Sequence, residues 1–170
     1  MMIISFTKDV AKLFDLDLEI SRSEKFAITP PLDDWVMACL WNRKEHVGLS
    51  LIHKHSLFSM LIVSEVKVLS YCLDLFYDQL IALLTEAGLK DDKYRFYLDD
   101  LFQEIHAVKH DDKSISRAMR FVYENLALSE TIATKNKSKL HSIDVSRMIN
   151  ESHRDKLNGK SSSEIFFDLV

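Results

Sequence analysis

Residues 35–63 read WVMACLWNRKEHVGLSLIHKHSLFSMLIV, three short apolar runs separated by two polar joints. Runs of this length, rich in Val, Ile, Leu and aromatic residues, predict an antiparallel meander of three strands. The joints, around Asn42 to Glu45 and His53 to Ser56, are as short as hairpins require. In the first run Trp35, Met37, Cys39 and Trp41 share one parity, and Val36, Ala38 and Leu40 share the other. Side chains alternate between the two faces of a strand, so this one is apolar on both sides and belongs in the centre of a covered sheet. Trp35 and Trp41 fall on one face in this register, either as core residues or as stacking surfaces for a base or peptide.

Upstream, residues 2–6 form a short β-branched stretch that reads as a strand, and Thr7 is placed to cap a helix whose inner face is Val10, Leu13 and Phe14. The pattern loosens over residues 15–34, and Pro30-Pro31 forbids a regular ladder, so a mobile surface connection is expected there. Downstream the period changes. Leu69, Cys72, Leu73, Phe76, Leu80, Leu83, Leu84 and Ala87 recur at steps of three and four, a long amphipathic helix. Gly88-Leu89 is the pair expected where such a helix ends in a left-handed residue. Residues 91–103 predict a second helix and residues 104–108 a short last strand. Ser114 then opens a helix with Ile115, Ala118, Met119, Val122 and Leu126 inward and Arg117, Arg120 and Glu124 outward. After a polar joint at 129–139, residues 143–149 resume helical character, and Asn158-Gly159 marks a turn before the closing IFFDLV. The expectation is one α+β domain over residues 1–170. It has a small, mainly antiparallel sheet of four or five strands packed with amphipathic helices, and a basic, partly irregular C-terminal third at 131–170.

A hydrophobic share of 47% with 28% charged residues suits a globular chain able to bury a core. Its apolar runs fall well short of the roughly 20 residues that span a bilayer, and residues 1–14 lack the pattern of a secretory leader. No membrane partner is expected. Cys39 and Cys72 form no close pair, which points to neither a disulfide framework nor a zinc clip and makes a reducing cytoplasm the expected compartment. The formal charge of -4 opposes wholesale coating of nucleic acid. Residues 131–160, however, hold seven Lys and Arg against three acids. That stretch is either a solvated surface or the contact for an acidic or phosphate-bearing partner, which leaves nucleic acid open through 131–160.

Lys109, Lys113, Ser114 and Arg117 surround a predicted helix start, where unpaired N–H groups and the dipole favour an anion. They are the candidate anion site, with Arg43 as a further cation and Trp41 as a stacking surface. In the competing reading Ser114 only caps its helix, and the cations stay in water beside Glu104, Asp111 and Asp112. His53 and His55 would share a side if extended, and His106 and His110 would suit one helix face. Neither pair has a carboxylate or cysteine to complete a site, and His53-Lys54-His55 reads as a joint with exposed histidines. No metal or cofactor is expected. The glycines Gly48, Gly88 and Gly159 are scattered, so no phosphate cradle is formed, and no glycine-framed serine is present. No catalytic residue is assigned.

Four segments carry a resemblance: MIISFTKDVAKLF, WNRKEHVGLSLIHKHSLFSMLI, EIHAVKHDDKSISRAM and IDVSRMINESHRDKLN. In this order they resemble an uncharacterised prokaryotic family of unknown function catalogued as six-nine-three-three. The family's Thr-Lys pair after the first strand is matched by Thr7 and Lys8, and its Trp followed by an Asn-Arg-Lys turn by Trp41, Asn42, Arg43 and Lys44. Its Asp-Arg-Ser helix start is met by Asp112-Lys113-Ser114. There, lysine lacks the two-pronged contact that arginine makes with an oxyanion. The family's Asn-Arg-Thr-Pro step has no proline counterpart in HRDKLNGKSS. The resemblance implies a fold and no activity. Function is therefore expected to be that of an interaction or regulatory module binding a protein or anionic partner. The alternative is a small hydrolase or transferase on a phosphorylated or nucleic-acid substrate, working through Lys109, Ser114 and Arg117 with Trp41 and Arg43 nearby.

Overall fold

The computed structural model describes residues 2–18, 34–88, 92–109, 116, 119–127, 141–151 and 159–169. In chain order the elements are β1 (Met2–Phe6), α1 (Lys8–Leu13), β2 (Asp34–Asn42), β3 (Val47–His53), β4 (Ser59–Ser64), α2 (Leu69–Glu86), α3 (Asp92–Gln103) and β5 (Ile105–Lys109). They are followed by α4 (helical residues 119–127), α5 (Ser142–Glu151) and α6 (Ser162–Asp168). The expected connection at 15–34 and the joint at 129–139 lie largely or wholly outside the described residues.

The five strands form one sheet in the order β4, β3, β2, β1, β5. The expected meander is present, with β2 antiparallel to β3 and β3 to β4. β1, however, pairs parallel with both β2 and β5, so the sheet is mixed rather than mainly antiparallel. The connections explain this: hairpin joints force reversal, whereas the long segments carrying α1 and α2–α3 return the chain to the same end of the sheet. β2 is central, as its two apolar faces require. One face of the sheet carries Ile4, Trp35, Met37, Leu51 and Met60 under Phe76 and Leu80 of α2, Leu98 of α3 and Phe166 of α6. The other carries Val36, Leu40, Ile52 and Leu61 under Val122 and Leu126 of α4 and Val145 and Ile149 of α5. Each fully buried side chain of this size contributes about 1.5–3 kcal/mol, so both layers hold the sheet.

Two placements correct the sequence reading. Trp35 and Trp41 lie on opposite faces, because the β2–β3 register jumps from Cys39↔Leu49 to Trp41↔Gly48. Leu40 is the extra residue of a β-bulge, and one inserted residue reverses the parity of all that follow. Trp35 is buried in the first core while Trp41 packs half-buried on the second. Gly48 makes room: a Cβ there would stand 2.3 Å from the indole ring of Trp41. The phenol of Tyr123 on α4 donates to the bulge carbonyls of Cys39 and Leu40, at 3.1 and 3.0 Å. Burial pushes the Tyr123 phenol pKa above its ordinary value.

His53 is the second correction, since it is fully buried rather than exposed in a joint. Its ring lies 5.1 Å from Trp35 and 5.3 Å from Phe166, and its Nδ1 is 2.8 Å from the Ser56 hydroxyl. The joint itself closes through Leu57, whose N–H donates to the His53 carbonyl from a left-handed φ of 58°. His55 is exposed, His106 sits on strand β5 rather than a helix, and His110 lies outside the described residues. Gly88 does take the expected left-handed φ, at 89°. Thr7 occupies the N-cap of α1 without a side-chain cap bond.

Candidate functional site

The two edges of the sheet are finished differently. In β4 the residues Ser59 and Leu61 turn their backbone groups away from β3, because the neighbouring Phe58 carbonyl accepts from His53 of β3. Helix α5 meets these outward groups with side chains. Asn150 accepts from the Ser59 N–H through Oδ1 and donates to the Ser59 carbonyl through Nδ2, both at 2.7 Å. Ser146 Oγ accepts from the Leu61 N–H at 2.8 Å and donates to the Ser142 carbonyl. The match is geometric, since four helix residues rise about 6.0 Å and two strand residues about 6.8 Å. Asn150 and Ser146 are both buried, so one edge of the sheet is closed to further pairing.

The opposite edge, β5, has no such cover among the described residues. The Met2 N–H donates to the Glu104 carbonyl at 2.7 Å, and Met2, Ile4 and Phe6 stand opposite Ile105, Ala107 and Lys109. In a parallel ladder this register turns the backbone groups of Glu104, His106 and Val108 toward β1 and those of Ile105, Ala107 and Lys109 outward. Ala107 and Lys109 are exposed, and the outward N–H and C=O groups have no backbone partner among the described residues. At the start of this strand His106 Nε2 lies 3.0 Å from Glu104 Oε1, a contact that holds the Glu104 carboxyl below the ordinary range. At its end Lys109 makes no ion pair among the described residues.

Of the remaining sequence-predicted site residues, Arg43 and Trp41 are not gathered here. Lys113, Ser114 and Arg117 lie outside the described residues. Arg43 is exposed in the β2–β3 turn, where its N–H donates to the His46 carbonyl and its own carbonyl accepts from the Lys67 ammonium. Phe6 pairs with both Met37 and Lys109, and Arg43 follows Met37 by six residues. That register sets Arg43 about 15–20 Å beyond Lys109 along the strand direction. Trp41 packs beside this turn against the second core, its ring 6.3 Å from His46. Of the seven cations in 131–160, Arg147 pairs with Glu86 and Asp144 and Lys160 with Asp168, while the other five lie outside the described residues. Among the described residues no group of three or more His, Cys, Asp or Glu is arranged to hold a metal. No described helix is long and apolar enough to cross a membrane.

A family model described as Domain of unknown function (DUF6933) matches residues 3–165. The chain belongs to the DUF6933 family. The resemblance carried by the four quoted segments is thereby established. No curated protein and no solved structure matches the chain.

In this DUF6933 chain, sequence reasoning missed the residues that finish the fold. Ser146 and Asn150 flank the apolar Val145 and Ile149, and two polar residues one turn apart on an apolar face were the available signal. Ser161 and Glu164 form a capping box at α6, with both reciprocal bonds present, although only a turn was expected before IFFDLV. The S-x-x-E spacing announces it.

Proposed function

We propose that this DUF6933 chain is an interaction module that binds an extended, acidic segment of a partner protein as an added strand at β5. What carries the reading is the contrast between the edges. One is sealed by paired side chains from α5, and the other leaves the backbone groups of Ile105, Ala107 and Lys109 facing outward. Strand addition draws affinity from main-chain hydrogen bonds and specificity from alternate side chains. Lys109 supplies a positive charge at the end of the edge, which favours a carboxylate-bearing segment. The hydrolase or transferase alternative needs its cations to converge, and the register separating Arg43 from Lys109 gives it no support.

The test is selection of linear peptides from a displayed random library on the wild-type chain, followed by binding to Ala107→Pro. Proline at 107 deletes an outward N–H and leaves every bond to β1 intact, and edge strands tolerate it. The expected result is a set of acidic, strand-forming peptides that bind the wild type and not A107P. Peptides that bind A107P equally well, or an edge occupied by a second copy of this chain, overturn the reading.

A further inference from the structure

A cleft of about 290 Å³ opens where the C-terminal end of α2 and residues Arg147 to Glu151 of α5 meet α6, away from the β5 edge. Its floor is apolar, formed by Phe58, Leu83 and Phe167. Phe58 is stacked at 4.2 Å on Phe166 and meets Phe167 edge-on at 5.9 Å, so the floor is braced from beneath. Asn150 also lines the cleft, but its amide is committed to Ser59 and its carbonyl accepts from Ser163 Oγ. The polar groups left for a ligand are those of the rim: Glu86, Arg147 and Glu151.

Among the described residues the electrostatics of that rim are one-sided. Arg147 is bound to Glu86 at 2.5 Å and to Asp144 at 3.0 Å, and the Glu86 bond raises its pKa further, so its charge is already answered. Glu151, the last residue of α5, has no ion pair among the described residues. Glu86 in turn is the last residue of α2. The C-terminus of α2, equivalent to roughly half a negative charge, therefore lies at the cleft together with the carboxylates of Glu86 and Glu151 and one guanidinium. An apolar floor beneath a net negative rim is complementary to a cation with an apolar body.

We propose that this cleft binds a small organic amine whose aryl or alkyl body rests on Phe58 and Phe167 while its ammonium meets Glu151. The experiment is calorimetric titration of the whole chain with 2-phenylethylamine, with 2-phenylethanol as the neutral analogue and phenylacetate as the anionic one. Saturable binding is expected for the amine, with weaker binding of the alcohol and none of the acid. Glu151→Gln is expected to weaken the amine about two- to fivefold, the range for an exposed ion pair, without weakening the alcohol. Ala87→Phe, at an exposed position on the mouth of the cleft, is expected to abolish binding while leaving the melting temperature unchanged. Equal binding of alcohol and amine, an E151Q variant that binds the amine like wild type, or no binding of the amine at all would overturn the proposal.

Discussion

Removing the amide of Asn150 isolates the contribution of the sealed edge. Asn150 makes two hydrogen bonds of 2.7 Å to the backbone of Ser59, and both residues are about 1% exposed or less. Asn150→Ala deletes both bonds and strands a buried N–H and a buried C=O. A net loss of about 1 kcal/mol per bond, plus part of the desolvation cost of each orphan, gives about 2–4 kcal/mol. The lower end applies if water enters from the neighbouring cleft. Against a total stability of 5–15 kcal/mol for ordinary domains, such a loss is large. Urea unfolding followed by far-ultraviolet circular dichroism measures it. Asn150→Asp adds a signed test. A carboxylate keeps the acceptor for Ser59 N–H but opposes the Ser59 carbonyl, whereas the protonated acid can donate to it. Its folded-state pKa is therefore raised above the ordinary value near 4. Relative to wild type, N150D is most stable below about pH 4. It then loses about 1.4 kcal/mol per pH unit until the folded-state pKa is passed. An N150A loss below about 0.5 kcal/mol, or an N150D difference that is flat with pH, would refute the pairing of α5 with β4.

Other substitutions test the remaining structure. Gly48→Ala drives a methyl into the Trp41 indole and should cost about 1–3 kcal/mol with a shift in tryptophan emission, and the same change in a Trp41→Ala background should cost less. Ser161→Ala removes the side-chain acceptor for Glu164 N–H and should cost about 1 kcal/mol by thermal unfolding, with weakened near-ultraviolet dichroism from the Phe166, Trp35 and Phe58 cluster. Burial raises the pKa of both thiols, Cys39 and Cys72. Less thiolate is then present at any given pH, so at pH 8 both should react with iodoacetamide more slowly in the folded chain than in urea. Reaction at the unfolded rate would contradict their placement.

Much of the fold was legible because hydrophobic period reports burial directly. The two apolar parities of β2 announced its central position, and Cys72, Phe76, Leu80, Leu83 and Leu84 lie where the period of α2 put them. Strand direction was less legible, since a short apolar run such as residues 2–6 carries no mark of which partner it will meet or in which sense. The face of Trp41 was hidden by one inserted residue, and Gly48, the space opposite its ring, was the trace left in sequence. His53 looked like a joint residue because its neighbours Lys54 and His55 are polar, while the aromatic rings that bury it come from residues 35 and 166. Ser146 and Asn150 serve backbone groups 85 and 91 residues away, distances at which no local pattern operates. For the candidate site, Lys109 lies on the β5 edge, which has no cover among the described residues, but that edge follows from strand register rather than from any motif.

The difference between the two edges is measured most directly by residue-resolved amide hydrogen exchange on the isolated chain. Slow exchange is predicted at Ser59 and Leu61, whose N–H groups Asn150 and Ser146 hold, and at His106 and Val108, which face β1. Fast exchange is predicted at Ile105, Ala107 and Lys109, and it should slow when a selected peptide binds. Slow exchange at Ala107 matching that at Val108 in the unbound monomer would mean the β5 edge is already occupied, and would contradict strand addition there.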